Sequence, residues 1–235
     1  STVKPDNMSK SDRGVSTELA RMMVGREVIL DVGRRSVAKD DVLLEVKNVS
    51  IRGDRGELAV NNLSFNIRYG EILSILGVAG NGQRELVEAL VGLRPIESGR
   101  VLLRNKDISD CFNKIAYIPE DRTGRGSVPD MSLLENFVLT DRDRFRKGPL
   151  LKWKRAAEIA GGLVTAYNIA ASTLAMKARQ LSGGNVQKVI LSREFSRNAF
   201  FLIAEQPTRG LDIGATEEIW QALLRQRDGG CALLV

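Results

Sequence analysis

Apolar and polar positions change period several times along the chain, and each change marks a predicted element. Residues 1–15 are polar and broken by Pro5 and Gly14, which predicts a tail or linker. A short helix is expected from Ser16 or Thr17, with Leu19, Met22 and Met23 on one side and Gly25 at its end. Residues 26–41 are charged and irregular, so the domain boundary is placed near Val42. Beyond it, residues 43–51 are apolar and β-branched, 52–56 carry turn chemistry, and 60–67 alternate, which predicts two strands. Residues 71–76 are almost wholly apolar, as expected of a buried strand, and lead through a glycine-rich turn into a helix over 85–91 that Gly92 ends. Short strands are predicted at 101–104 and 115–118. The stretch 132–178 is helical in period, with interruptions at Gly148-Pro149 and Gly161-Gly162. Val186, Val189 and Ile190 share a helix face, 200–204 reads as a buried strand, and Ile219, Trp220, Leu223 and Leu224 mark another helix. Strands alternating with helices predict an α/β fold with a parallel central sheet, one β attachment and one helical insertion at about 130–178. The last residues, 232–235, begin another buried strand, so the natural polypeptide is expected to continue.

The 235 residues are 43% hydrophobic and 27% charged, which suits one to two soluble domains with a full core. No histidine is present, and that excludes Ser-His-Asp or Cys-His nucleophiles, His-ligated zinc and imidazole acid/base catalysis in this chain. Carboxylates, Lys and Arg, backbone amides or an oxygen-held metal remain. Cys111 and Cys231 stand far apart in unrelated contexts and predict reduced thiols rather than a disulfide framework. Apolar runs reach about five residues against the ~20 that span a bilayer, and the start does not read as a signal peptide. The net charge of +6 is concentrated in one segment: Arg142, Arg144, Arg146, Lys147, Lys152, Lys154 and Arg155 face only Asp141 and Asp143. A solvated surface and a patch facing a partner or membrane both fit that segment. Nucleic acid fits less well, because Phe145 and Trp153 alone make no stacking platform.

Gly77, Val78, Ala79, Gly80, Asn81, Gly82, Gln83 and Arg84 join a predicted strand to a predicted helix. Such a loop lets backbone N–H groups approach phosphate at a helix N-terminus, although glycine turns between strand and helix are common. The G-x-x-x-x-G spacing is kept, but Gln83-Arg84 replaces the Lys-Ser/Thr that usually follows. About 100 residues on, Leu181, Ser182, Gly183, Gly184 and Asn185 lead into a helix. An apolar strand then ends in Glu205-Gln206 before Pro207-Thr208, followed by Gly210, Leu211 and Asp212.

This ordered set resembles the ATP-binding cassettes of ABC transporters, over roughly residues 42–235. Pro119-Glu120-Asp121-Arg122, Pro207-Thr208-Arg209 and the leader over 18–27 resemble the second, C-terminal cassette of tandem ATPases serving bacterial simple-sugar and nucleoside importers. The resemblance implies an ABC-type P-loop core with an N-terminal antiparallel β subdomain and an inserted helical subdomain. Residues 1–41 would form the linker between cassettes. It implies ATP and Mg2+ as ligands and the cytoplasmic face of the membrane as location. Its implied partners are an N-terminal cassette in the same polypeptide, membrane-spanning permease subunits and, indirectly, a periplasmic or lipoprotein solute-binding protein, with no nucleic acid.

An intact site of this family needs a backbone cradle, a Lys on the β/γ-phosphates, a hydroxyl and an Asp around Mg2+, and a Glu that handles the attacking water. Here Gln83 stands for the Lys, a loss of a charge-assisted contact of ~1.5–3 kcal/mol. Arg84 supplies a cation one position later but displaces the hydroxyl. Glu205 stands at the Asp position, with Mg2+ expected near it if the ion binds at all. Gln206 stands at the catalytic Glu, and loss of such a base costs on the order of 10²–10⁴ in rate. Glu120 takes the place of the Q-loop glutamine. The 52–56 turn lacks an adenine-stacking aromatic, a role left to Arg52 or Arg55. The resemblance therefore implies that this chain's own site holds nucleotide weakly or without catalysis. The loop Leu181, Ser182, Gly183, Gly184 and Asn185, with Leu211 and Asp212 beyond it, would close on a partner cassette's nucleotide. Two alternatives stay open: a self-sufficient ATPase rescued by Arg84 and Glu205, and a soluble ABC protein acting on nucleic acid.

Overall fold

A computed structural model describes residues 41–235 other than Ala79 and Asn198, and of Asp143 the backbone alone. The expected linker, Asp41 excepted, and its helix from Ser16 or Thr17 lie outside the described residues. Strands β1 (Val42–Arg52) and β2 (Leu58–Arg68) form an antiparallel hairpin around the predicted turn. β4 (Ser98–Leu103) pairs with the other edge of β1, and β5 (Lys106–Asp107) with β4, giving the order β2-β1-β4-β5. The hairpin register slips between Val46 and Val49. Asn48, at φ 50°, fills that bulge, and the Ser64 hydroxyl donates to its Oδ1.

The second sheet is parallel, in the order β3 (Ile72–Leu73), β10 (Ala232–Leu234), β9 (Phe201–Ala204), β6 (Ile115–Ile118). Helix α1 (Gln83–Leu90) follows β3, and α6 (Ile213–Asp228) crosses from β9 to β10. All four residues of β9 are buried because both faces of the sheet are covered. Phe201 and Ile203 join α1 and the antiparallel sheet in one core, whereas Leu202 and Ala204 face α6 and α5 (Gly183–Phe195) in another.

The strand expected over 71–76 is shorter and less buried than the sequence suggests: only Ile72–Leu73 is strand, both half-buried, and Leu76 is 93% exposed. β3 is the sheet's edge among the described residues, so its outer side lacks a covering neighbour. The ladder does continue irregularly, since Ile75 donates to the Val235 carbonyl at 2.8 Å.

The insertion also departs from a continuous helical stretch. It holds α2 (Leu133–Leu139), the one-turn α3 (Arg142–Phe145), a hairpin of β7 (Arg146–Lys147) and β8 (Leu150–Leu151), and α4 (Trp153–Ala166). Gly148-Pro149 is the tip of that hairpin. Gly161-Gly162 interrupts nothing, because Ala156, Ala160 and Leu163 pack one face of α4 into the insertion core and override a glycine penalty of ~1 kcal/mol each. Residues 167–177 are irregular.

A buried polar lock ties this insertion to the core. The Arg193 guanidinium donates to the carbonyls of Asn136 (3.3 Å) and Gly126 (3.0 Å) and pairs with Glu194 at 2.9 Å. Glu194 also takes Arg197 at 2.7 Å. The buried Asn136 amide accepts from the Val128 N–H and donates to the carbonyls of Val128, Met131 and Ser132. No helix among the described residues is long and apolar enough to cross a membrane.

Candidate functional site

The glycine loop leaves β3 and ends on Gly82, which caps α1 at φ 90° without a side-chain hydrogen bond. Only glycine fits there, since a Cβ would lie 2.3 Å from the Ala59 carbonyl oxygen of β2. The N–H groups of Gln83, Arg84 and Glu85 have no carbonyl one turn earlier in the helix, so the N-terminus of α1 offers donors at the loop. Gln83 bends back over this loop: a Cβ on Gly77 would meet its Nε2 at 2.0 Å. Val78 is exposed, Asn81 N–H closes a turn on the Val78 carbonyl at 3.2 Å, and Ala79 lies outside the described residues.

Arg84 is committed to acids. Its Nη2 pairs with Asp54 on the β1–β2 turn and its Nε with Glu88 one turn on at 3.2 Å. Glu88 is buried and also receives Arg94 (2.6 Å) and Arg125 (2.7 Å), while Arg94 reaches Asp54 at 2.5 Å. Burial alone raises the Glu88 carboxyl, but Arg94, Arg125 and Arg84 hold it below the usual range. Arg94, then Arg84, lowers Asp54. Arg52 does not offer a free plane for adenine: its guanidinium donates to the Gly56 carbonyl at 2.9 Å and pairs with Glu97 at 3.2 Å.

Glu205 emerges at the end of β9, its N–H bonded to the Ile118 carbonyl, and its carboxylate accepts the Tyr117 hydroxyl at 2.5 Å. Burial raises Glu205, with Tyr117 and Arg125 pulling the other way. Gln206 follows at φ 42°, a left-handed conformation unusual for glutamine, and its side chain is exposed. Glu120 pairs with Arg209, whose carbonyl accepts from Arg122. Gly77, Gly80, Gln83, Arg84, Glu120, Glu205 and Gln206 thus line one cleft of about 330 Å3. Arg84, Glu120 and Glu205 continue into an adjoining cleft of about 680 Å3 shared with Arg122, Arg125, Arg209 and Gly183.

The other predicted residues, Gly183 excepted, stand apart from these clefts. Ser182 caps α5, its Oγ accepting from the Asn185 N–H (3.4 Å) and Nδ2 (2.9 Å). Asn185 Oδ1 accepts from Ala170 at 2.8 Å and so moors the irregular end of the insertion to the loop. Ser182 and Gly183 are exposed, and Leu181 is half-buried against the core. Leu211 lies beside Gly184, and Asp212 caps α6 by accepting from the Ala215 N–H at 2.8 Å.

Mg2+ would need oxygen donors that are free at this site. Such an ion is held through a hydroxyl and one or two carboxylates besides substrate phosphate. At this site a guanidinium stands where the hydroxyl would be, and Glu205 is already bonded to Tyr117. No group of three or more His, Cys, Asp or Glu that could hold a metal stands among the described residues. These residues do not fit a protein-held Mg2+. Sequence reading missed Tyr117, Asp54, Glu88, Arg94 and Arg125 as parts of the site. One signal was available, a Glu88 among apolar positions of a helix with Arg84 four residues before it and Arg94 six after, but Arg125 lies 37 residues away.

The family model described as ABC transporter matches residues 60–209. The chain is 39% identical to the glucose import ATP-binding protein TsgD13 of Haloferax volcanii, over all of this chain and 43% of that protein. It is 38% identical to the nucleoside import ATP-binding protein NupA of Lactococcus lactis, over 98% of this chain and 47% of that protein. The chain therefore spans about half the length of the curated relatives it matches. Among solved structures, the ATP-binding cassette MJ0796, a dimer in a post-hydrolysis state with ADP and Pi, superposes with a TM-score of 0.70 at 26% identity, covering 82% of this chain and 87% of that one.

Proposed function

Because this chain belongs to the ABC transporter family, whose cassettes bind and hydrolyse ATP with Mg2+, we propose that it is the noncatalytic cassette of an importer ATPase for a simple sugar or nucleoside. Its own cleft holds nucleotide without turning it over. Its loop from Leu181 to Asn185, exposed at Ser182 and Gly183, completes the ATP site of a second cassette in the same polypeptide. The observation that carries this reading is an asymmetry within one chain. Gln83, Arg84 and Gln206 have lost the groups that act on the γ-phosphate and on water, whereas Ser182 and Gly183 stand exposed, with Gly184 half-buried behind them, at the N-terminus of the 13-residue α5. That loop has no work to do in its own cleft beyond the Gly183 contact with the rim. The import names of the relatives support a solute of the sugar or nucleoside class, and their greater length leaves room for another cassette. Membrane-spanning permease subunits and a solute-binding protein are the partners this reading requires, with the cassette on the cytoplasmic face.

The test is ATP turnover by the complete polypeptide assembled with its permease. Ser182→Arg, which pushes a long side chain into the partner's site, is expected to lower turnover by about a hundredfold or more. Gln206→Ala is expected to leave it within about threefold, because an amide there supplies no base. Full activity of the Ser182 variant, or collapse of the Gln206 variant, overturns the reading.

A further inference from the structure

The misfit with Mg2+ leads further. We infer that this cleft takes a nucleoside polyphosphate without the metal, with Arg84 supplying the positive charge that Mg2+ brings to intact sites. The inference rests on the nucleotide-binding reading above.

Three observations carry it. Arg84 follows the phosphate loop in the first turn of α1, is half exposed, and lines both halves of the cleft. Asp54 and Glu88 occupy its Nη2 and Nε, which leaves Nη1 for an anion. Next, each carboxylate in the larger cleft already has a donor from the protein. Arg209 serves Glu120, the N–H groups of Thr123 and Gly124 serve Asp121, and the Tyr117 hydroxyl serves Glu205. A cation entering here must displace those donors and also sit beside a guanidinium of like charge. Finally, four arginines, Arg84, Arg122, Arg125 and Arg209, line this cleft against those three carboxylates. Guanidinium groups are suited to phosphate oxygens. The lining thus favours the more highly charged metal-free polyphosphate over its less charged magnesium complex.

Asp54 is the built-in competitor. It holds Arg84 and Arg94 together from the β1–β2 turn, so phosphate at Nη1 shares the Arg84 charge with it.

Equilibrium dialysis of the chain against labelled ATP, in excess EDTA and in excess MgCl2, tests the inference, with inorganic tripolyphosphate as competitor. Binding in EDTA is expected to be at least as tight as in Mg2+. Arg84→Ser should weaken binding in EDTA about tenfold or more and make it depend on Mg2+, while Arg84→Lys keeps most of it. Asp54→Asn should tighten it. Circular dichroism establishes that each variant is folded. Tightening of the unaltered chain by Mg2+ of about tenfold or more overturns the inference, as does an absence of ATP binding in EDTA. Either failure leaves the donated-loop reading standing, because that is read from Ser182→Arg in the complete transporter.

Discussion

Replacing Arg193 by methionine tests whether the buried polar lock, rather than apolar packing alone, seats the insertion on the core. Methionine keeps an unbranched stem of similar reach but no donors. Two backbone carbonyls, of Asn136 and Gly126, then lose the guanidinium, and Glu194 keeps Arg197 and a long bond from the Tyr117 N–H at 3.4 Å. Arg193 and Glu194 are 4% and 1% exposed, so water offers little rescue. Removing one member of a buried, hydrogen-bonded ion pair costs about 3–5 kcal/mol, and the orphaned carbonyls place this case within that range. At about 2–4 °C per kcal/mol for a domain of this size, the melting temperature should fall by roughly 6–20 °C.

Urea and thermal melts give the global loss, and amide exchange locates it. Exchange should quicken in α2, and in α4 packed against it, before the parallel sheet, because the lock joins α2 and the 126–136 stretch to α5. Arg193→Met with Glu194→Met should lose less than the sum of the two single changes, since the double variant leaves no unpaired carboxylate. A single variant that loses under about 1 kcal/mol, or exchange that quickens uniformly, refutes the reasoning.

The loop and the buried thiol give further tests. Gly82→Ala combines a left-handed φ with a Cβ 2.3 Å from backbone, and should cost about 2–4 kcal/mol in urea melts. Gly80→Ala, at φ 92° with nothing within 4 Å of the new Cβ, should cost only about 1 kcal/mol. Equal losses would show that the Ala59 contact does not matter. Burial pushes the Cys231 thiol up to about 12 from 9.0, so iodoacetamide at mildly alkaline pH should label it only after unfolding. The sign follows from the raised value: the contribution to stability is complete below pH 9.0 and is lost as pH rises toward about 12. Cys231→Ala should flatten that part of the stability profile, and an unchanged slope would refute the assignment.

What was legible in the sequence follows from how local each cause is. β9 and α6 could be read because their burial is dictated by runs of neighbouring residues. The one-turn α3 and the β7–β8 hairpin could not, since two paired residues per strand are too few to show a period and Gly148-Pro149 reads equally as a break. Gly161-Gly162 misled for the converse reason: packing by Ala156, Ala160 and Leu163 decides that helix against local propensity. At the site, motif spacing located Gln83, Arg84, Glu120, Glu205 and Gln206, and the fold does bring these five to one cleft. Their electrostatic state was hidden, because Arg84 meets Asp54 thirty residues away and Glu205 meets Tyr117 eighty-eight away. That distinction alters the chemistry assigned to Arg84. By position it is a phosphate cation that has moved by one residue; by contacts it is a cation already shared between Asp54 and Glu88, so a phosphate would share its charge with two carboxylates. On the proposed reading, the affinity of this cleft for a polyphosphate is therefore set as much by Asp54, on a turn with no motif of its own, as by the glycine loop.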